Sequence, residues 1–379
     1  MGSRGRRKLL HVGAIDAVFD ACANAWDMTV GPGVADLTPA ASAIIDEGPQ
    51  RTVHRFRPAV RARRRAPVLL VPPLAAPARC FDLRRGASLT QHLLSLGYPT
   101  YLVDYGPISF SDRQLGLEHW VDDVIPAAVE AVSEDAGELP VQVVGWCLGG
   151  IMSLLAVAGN ELPVRSVTLV ASPFDFAEVR TMAPIRRLAE LTGGRLLTGL
   201  YSALGGAPAP LVSLGFQLTA LDKRVTKPLT VLRNLGDRDL LAHIEAVDEY
   251  MAHMLAYPGR TFAQLYHRFF RINDLADGRV ELSDRCIDLA DVDVPVLVVA
   301  GTNDVLAPAE AVVAVEGLLT GAPEVRVERA PGGHLGVLTG RGARDTTWRH
   351  LDDFLAAHDV PASDVRRAAR RRERELTAA

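Results

Sequence analysis

A cysteine occupies a glycine-flanked turn in VQVVGWCLGGIM, residues 141–152. The apolar run before Cys147 is typical of a buried strand, and the run after it is typical of a helix. A sharp strand-to-helix turn of this kind presents a nucleophile at the edge of a sheet, and Gly145 and Gly149 avoid the crowding that a Cβ would cause. The partial positive charge of the helix N-terminus favours a thiolate there. We therefore predict that Cys147 is a covalent nucleophile.

A thiolate nucleophile works with a base and with a group that orients this base. Asp304 follows the apolar segment VPVLVVAG, and His334 follows EVRVERA, so both are expected just past the ends of strands. We predict that His334 is the base and that Asp304 orients it. Asp175, which follows SVTLVASP, is the alternative acid. The other histidines show no metal-ligand spacing with carboxylates, so we predict neither a metal nor a cofactor.

An oxyanion hole needs two backbone N–H groups, one of them from the residue after the nucleophile. Leu148 is predicted to supply this first donor. The second should come from the loop after an early strand, LLVPPLAAP, in which Pro72 and Pro73 have no N–H. We predict Leu74 as the second donor, with Ala75 as the alternative.

The segments that position these residues alternate between short apolar runs and helical patterns. Predicted helices cover Ser88–Leu96, Leu117–Val132 and Leu148–Ala158. Strands are predicted at 66–73, 100–106, 141–146, 166–173, 294–301 and 324–330. This alternation predicts an α/β fold with a mostly parallel sheet. Because the nucleophile, the acid and the histidine follow one another in that order, we predict the α/β-hydrolase fold.

The long interval between the strands at 166–173 and 294–301 predicts an insertion. We assign residues 61–173 and 278–360 to the α/β-hydrolase core. Residues 174–277 are predicted to form a mainly helical cap, with helices around Ile185–Ser202 and Leu240–Tyr257. The predicted flanking parts are an N-terminal helical extension, residues 1–60, and a charged C-terminal tail, residues 361–379.

Composition excludes several classes of protein. A formal net charge of −4 without a concentrated basic face argues against nucleic-acid binding. Cys22, Cys80 and Cys286 are scattered and outside any elbow, which favours a reducing compartment and structural roles for these three thiols. No apolar run approaches the roughly 20 residues of a membrane span. Asp16 and Asp20 interrupt the apolar core that a signal peptide would need, so we predict a cytoplasmic protein.

Five motifs together resemble polyhydroxyalkanoate synthases, and the spacing is closest to the shorter, two-subunit type. They are VPPL followed by FDL, GWCLGG, the stretch at 257–282, GTNDVLAP and GGHLGVLTG. The resemblance implies a Cys-His-Asp acyltransferase that acts on (R)-3-hydroxyacyl-CoA, with the catalytic roles on Cys147, His334 and Asp304. It also implies a second synthase subunit or a homodimer as partner, and a location at the surface of polymer granules.

Two alternatives remain open at the level of sequence. The GxCxGG pattern is also similar to that of dienelactone hydrolases, which would make the protein a cysteine-dependent thioesterase or esterase. A non-catalytic scaffold on a lipid or polymer inclusion is the third possibility. A cysteine suits acyl transfer because exchanging one thioester for another is nearly isoenergetic, so the acyl-enzyme stays reactive toward an incoming hydroxyl.

Overall fold

The computed structural model describes residues 19–58, 65–182, 206–210, 212–213, 221–361 and 363. Its strands are β1 Ser42–Gly48, β2 Arg51–Phe56, β3 Val68–Val71, β4 Asp82–Arg84, β5 Ala87–Ser88, β6 Thr100–Asp104, β7 Val141–Trp146, β8 Val164–Val170, β9 Gly206–Ala207, β10 Tyr257–Pro258, β11 Arg279–Leu282, β12 Arg285–Asp288, β13 Val296–Gly301 and β14 Val325–Ala330. Eight of them form one sheet in the order β1-β2-β6-β3-β7-β8-β13-β14.

The six strands from β6 to β14 in this sheet are parallel, as the alternating pattern predicts. Every residue of β3, β7 and β13 is buried, which explains their continuous apolar sequences. Burying each such Val or Leu side chain stabilises the fold by about 1.5–3 kcal/mol. Although the predicted cap separates β8 from β13 in the chain, Val296 pairs with Val167. The α/β fold class is confirmed.

The prediction of a helical extension over residues 1–60 is wrong for residues 42–56. These residues form the antiparallel hairpin β1–β2, and β2 joins the sheet by antiparallel pairing with β6. Val53 and Phe56 of β2 are buried, whereas the side chains of β1 are partly exposed. The hairpin closes one edge of the sheet, so its strands lack the continuous apolar runs that mark the central ones.

Helices cover the faces of the sheet and much of the insertion. They are α1 (residues 19–29), α2 Leu89–Ser95, α3 Ile125–Asp135, α4 Leu148–Gly159, α5 Leu221–Arg233, α6 Arg238–Ala252, α7 Gly259–Gln264, α8 Ala309–Val313, α9 Gly336–Thr339 and α10 Thr347–Ala357. Short 3-10 turns occur at Ala78–Phe81, Phe110–Gln114, Phe176–Glu178, Arg180–Met182, Asp274–Asp277, Leu289–Asp291 and Ala314–Leu318, and π-helical segments at His119–Val124 and Leu265–Ile272.

The predicted helices of the core match α2 and α4 closely. The Ser88 side chain caps α2 by accepting a hydrogen bond from the N–H of Gln91 at 3.0 Å, which explains why this helix begins where it does. The third predicted helix, Leu117–Val132, is a π-helical segment that leads into α3.

The described part of the predicted cap is mainly helical. It contains α5, α6, α7 and the π-helical segment, together with the short pair β9–β10. The predicted helix at Leu240–Tyr257 is correct up to Ala252, but Tyr257 lies in β10 instead. The predicted helix at Ile185–Ser202 lies outside the described residues. The division into core, cap, extension and tail stays a prediction.

Candidate active site

Cys147 lies at the sharp turn between β7 and α4. Its φ of 54° and ψ of −124° are a strained combination for a residue with a side chain. Gly145 and Gly149 make the turn possible, because a Cβ on Gly149 would lie 2.5 Å from the carbonyl oxygen of Pro72 and one on Gly145 would lie 2.6 Å from the nitrogen of Gly150. The glycine pattern therefore has the steric cause that the sequence predicts.

The four cysteines differ in their surroundings. Cys147 is partly exposed and immediately precedes α4, whose first N–H groups have no acceptor within the helix. Cys80 is fully buried, and this burial raises the pKa of its thiol well above the usual value. Cys22 and Cys286 are exposed, and neither stands at a strand-to-helix turn. Only Cys147 combines access with an elbow.

The structure brings Asp304 and His334 together at the same edge of the sheet. Asp304 follows β13, His334 follows β14, and Nδ1 of His334 lies 2.8 Å from Oδ2 of Asp304. The other carboxylate oxygen, Oδ1, accepts hydrogen bonds from the backbone N–H groups of Leu306 and Ala307, each at 2.9 Å. Because these bonds fix the buried carboxylate, it can orient the imidazole ring.

Opposing effects act on the pKa of His334. Burial lowers it, but the negative charges of Cys147 and Asp304 and the hydrogen bonds to both groups outweigh burial and raise it from 6.5 to about 10. The raised pKa means that the His334 ring holds its proton more firmly than a free imidazole, because it contacts both Cys147 and Asp304. The three predicted residues therefore interact as one cluster.

Trp146 supports His334 from the side of the elbow. Its indole Nε1–H donates a hydrogen bond to the backbone carbonyl of His334 at 3.2 Å, and the two ring centroids are 5.1 Å apart. Sequence analysis did not assign a role to Trp146, although it lies inside the quoted motif. The position of Trp146 next to the predicted nucleophile could have suggested a role. Its hydrogen bond, however, is made to His334, which is 188 positions away in the sequence.

The two predicted oxyanion donors lie in adjoining segments. Leu148 is the first residue of α4, and Leu74 is buried in the loop after β3. Ala75, the alternative donor, has a positive φ of 61°, and its carbonyl accepts a hydrogen bond from the N–H of Leu255 at 2.9 Å. Tyr105 holds the same loop through a 3.0 Å bond from its hydroxyl to the carbonyl of Pro72. The assignment of the donors themselves stays a prediction.

Asp175, the alternative acid, faces other partners. Its Oδ1 accepts hydrogen bonds from the N–H of Ala177 at 2.8 Å and from Nδ2 of Asn273 at 2.9 Å. The described structure gives His334 a bond to Asp304 and none to Asp175. This geometry favours Asp304 as the orienting acid.

Two tyrosines from the insertion approach the elbow, and sequence analysis missed both. Tyr250 of α6 is 2% exposed, and its hydroxyl has no hydrogen-bond partner among the described residues. Burial raises the pKa of both Tyr250 and Tyr257, and the charge of Cys147 raises both further. The two phenols thus stay neutral within the electrostatic range of the sulfur. No spacing rule points to them, because they reach the site through the insertion.

A cavity of about 590 Å³ lies away from this cluster. It is lined by residues 157–162, Val164, Asp291, Asp293 and Val294, at the amino ends of β8 and β13. Cys147 and His334 lie instead beyond the carboxyl ends of their strands, where open α/β sheets bind ligands. The cavity therefore does not belong to the candidate site.

The described residues contain neither a metal-binding cluster nor a membrane-spanning helix. Within them, no group of three or more His, Cys, Asp or Glu side chains is arranged to hold a metal ion. The helices of the same part of the chain include none that is long and apolar enough to cross a bilayer. The expectation of a site without metal or cofactor stays a prediction.

Residues 66–340 match a family model described as the alpha/beta hydrolase fold. The chain belongs to the α/β-hydrolase family. Among solved structures, this α/β-hydrolase is similar to a thermostable carboxyl esterase from Bacillus coagulans, with 17% identity and a TM-score of 0.55 over 85% of this chain and 99% of the esterase. At that identity the likeness shows the fold alone. The fold class predicted from the sequence is thus confirmed.

Curated relatives of this α/β-hydrolase carry the name poly(3-hydroxyalkanoate) polymerase subunit PhaC. The Synechocystis protein is 27% identical over 77% of this chain and 78% of its own length. The Allochromatium vinosum protein is 27% identical over 74% of this chain and 78% of its own length. The Haloferax mediterranei protein is longer, so a match at 25% identity over 79% of this chain spans 60% of that relative. The resemblance to polyhydroxyalkanoate synthases is confirmed.

Proposed function

We propose that this α/β-hydrolase is a polyhydroxyalkanoate synthase-like acyltransferase that moves (R)-3-hydroxyacyl groups from CoA through an acyl-cysteine at Cys147. The observation that carries the proposal is the buried His334–Asp304 pair at 2.8 Å beside a cysteine at a nucleophile elbow. The names of the curated relatives supply the substrate class. The reaction needs no metal or cofactor, since the CoA thioester is itself the substrate.

In the first half-reaction, the Cys147 thiolate attacks the thioester carbonyl, so the bond from Sγ to the acyl carbon forms. The oxyanion accepts hydrogen bonds from the N–H groups of Leu148 and Leu74. The bond between the acyl carbon and the CoA sulfur then breaks, and the departing sulfur takes a proton from the His334 imidazolium. One thioester replaces another, so little free energy is lost before the acyl group moves on.

In the second half-reaction, neutral His334 removes the proton of an incoming hydroxyl. The hydroxyl oxygen bonds to the acyl carbon, the bond from Sγ breaks, and the imidazolium–thiolate pair is restored. Asp304 keeps the ring in the tautomer whose Nε2 faces the acceptor. A second hydroxyacyl group as acceptor lengthens an ester chain, whereas water as acceptor makes the protein a thioesterase.

The test supplies (R)-3-hydroxybutyryl-CoA to the purified protein and follows both CoA and the acyl group. Free CoA alone decides nothing, because transfer and hydrolysis both release it. We expect ester-linked oligomer or polymer with little free 3-hydroxybutyrate, and no turnover by Cys147→Ala. Stoichiometric free acid without oligomer, also with other chain lengths, would overturn transfer in favour of a cysteine-dependent hydrolase.

Labelling with iodoacetamide tests the nucleophile separately. Peptide mapping should find Cys147 modified first, in step with the loss of activity, because it alone is accessible at an elbow. First modification of exposed Cys286, in step with inactivation, would contradict the assignment.

A second subunit or a second copy of the chain is part of the proposal, because the relatives are named as polymerase subunits. Phe19 and Trp26 support α1 as the docking segment: they lie seven residues apart, hence on one side of the helix, and are 70% and 62% exposed. Truncating residues 1–30 should abolish association in sedimentation experiments and lower turnover. Full activity of the truncated protein as a dilute monomer would contradict this role.

A further inference from the structure

A second cavity, of about 120 Å³, has a lining rich in arginine. The side chains of Arg84, Arg341 and Arg344 line it, against a single carboxylate from Asp239. The cavity lies where the β4–β5 hairpin, the start of α6 and the loop after α9 meet. Arg341 also pairs with Asp237 at 2.7 Å, outside the lining, so the cavity keeps a smaller excess of positive charge. Its size suits one phosphate group rather than a nucleoside.

Arg84 is unusually buried for an arginine. Its side chain is 6% exposed, and Nη1 donates to the carbonyl of Arg85 at 2.9 Å. Nη2 donates to Oδ1 of Asp239 at 2.8 Å and to the backbone carbonyl of Asp239 at 3.2 Å. Nε has no hydrogen-bond partner among the described residues. Asp239 is 54% exposed, so its carboxylate can turn to solvent and leave the guanidinium to another anion. A buried, incompletely paired guanidinium of this kind is a ready anion site.

His243, one turn after Asp239 on α6, is affected by the same positive charges. Burial lowers the pKa of His243, and the charge of Arg84 lowers it further. Its buried Nδ1 also has no hydrogen-bond partner within the described part of the chain. The neutral His243 ring thus adds no positive charge, and the positive charge of this region comes from the arginines.

Guanidinium nitrogens of Arg84 and Arg344 both lie close to Gly86. A Cβ at this position would lie 3.2 Å from Nη1 of Arg84 and 3.6 Å from Nη2 of Arg344, and the φ of Gly86 is +82°. Arg344 forms no ion pair with any described residue, and its guanidinium carbon lies 5.6 Å from the centroid of the Trp348 ring. Arg344 is therefore available to bind an anion without breaking an existing pair.

The cavity lies within reach of the candidate site. Helix α6 joins the two regions: Asp239 lines the cavity near its start, and Tyr250, whose pKa the charge of Cys147 helps to raise, lies near its end. Eleven residues at about 1.5 Å each make this separation about 16 Å along the helix. This length is of the same order as an extended pantetheine arm, which joins the sulfur of CoA to its phosphates.

We propose that this arginine cavity binds a phosphate group, with the phosphates of CoA and free inorganic phosphate as its two possible sources. CoA as the source rests on the proposed acyl-CoA activity, whereas the binding chemistry does not. The planar guanidinium groups can form paired hydrogen bonds with phosphate oxygens, and the phosphate takes the place of the Asp239 carboxylate.

Calorimetric titration of the full-length protein with CoA, pantetheine and inorganic phosphate tests the proposal without turnover. Arg344→Gln should weaken binding of CoA about tenfold and leave pantetheine binding unchanged. Asp239→Asn should tighten CoA binding, because it removes the competing carboxylate. Arg349→Gln is the matched control, since Arg349 is exposed on α10 and outside the cavity lining.

The titrations separate the two sources of phosphate. Weaker CoA binding in Arg344→Gln assigns the cavity to the substrate. A second outcome is that the wild type binds inorganic phosphate but not CoA, and that Arg344→Gln abolishes the phosphate binding. This outcome supports the cavity as a phosphate site and contradicts the acyl-CoA function. The proposal is overturned if Arg344→Gln and Asp239→Asn bind both CoA and inorganic phosphate as the wild type does, or if Arg349→Gln weakens binding equally.

Discussion

Replacing Asp304 with asparagine tests whether this carboxylate sets the tautomer of His334. Oδ1 of Asp304 accepts hydrogen bonds from the N–H groups of Leu306 and Ala307. Asparagine has the same shape, and its one oxygen must stay with these donors because an NH₂ group cannot accept them. The NH₂ group then faces Nδ1 of His334, which becomes an acceptor, so the ring proton moves to Nε2 and toward Cys147.

A neutral ring protonated at Nε2 cannot remove a proton from the acceptor hydroxyl. The corresponding change in a Ser-His-Asp triad lowers turnover about 10⁴-fold, or about 5.5 kcal/mol at 1.36 kcal/mol per tenfold. The Asp304 side chain is fully buried and its bond to His334 is 2.8 Å long, so solvent cannot replace the lost interaction. We therefore expect Asp304→Asn to lower turnover by about 10⁴-fold with little change in the fold.

The assay measures initial rates of CoA release from (R)-3-hydroxybutyryl-CoA by chromatography, with circular dichroism to check folding. Asp175→Asn is the matched control, because its oxygen can keep the hydrogen bonds from Ala177 and Asn273, and neither of these contacts involves His334. We expect this control to stay within a few-fold of the wild type. A folded Asp304→Asn protein within tenfold of wild-type turnover, combined with an inactive Asp175→Asn protein, would refute the reasoning.

The remaining predictions concern the same cluster and its supports. Cys147→Ala should lower the pKa of His334 in an NMR titration, because the charge and hydrogen bond of Cys147 help raise it from 6.5 to about 10. An unchanged pKa would count against an interaction between Cys147 and His334. Because the pKa of His334 is higher in the folded state, its contribution to stability should be complete below pH 6.5 and disappear as the pH rises toward 10. The free energies of unfolding of the wild type and His334→Gln, measured in urea, should therefore converge over that range. Tyr250→Phe should raise the unfolding free energy by about 1 kcal/mol, because it removes a buried hydroxyl that has no partner among the described residues; destabilisation would show that the hydroxyl is paired. Gly149→Ala should unfold at lower denaturant concentration than Gly317→Ala, whose added Cβ meets nothing within 4 Å, and equal midpoints would contradict the steric argument.

The central strands were predictable because burial on both faces leaves a continuous apolar sequence. The hairpin β1–β2 was not, since β1 is only partly buried and its residues alternate without a clear apolar run. Its place is decided by pairing with β6, which is distant in the chain. Local composition cannot encode such pairing, so the helical prediction for this segment failed.

The positions of Cys147, Asp304 and His334 were easier to predict than the contacts that support them. Cys147 and Asp304 each follow a buried apolar strand, His334 follows the more polar β14, and the parallel sheet brings these strand ends to one edge. Trp146 and Tyr250 were missed as supports because their roles arise from contacts between distant segments. The hydrogen bond from Trp146 to a backbone carbonyl 188 residues away cannot be predicted from the local sequence pattern.

The hydrogen bond from Leu255 to the carbonyl of Ala75 couples the insertion to the loop that carries the proposed second oxyanion donor. Leu255 lies three residues after the end of α6, so a movement of α6 would also displace this contact with the loop. Under the proposed acyl transfer, the position of the insertion would therefore affect how firmly the second donor is held next to the acyl carbonyl.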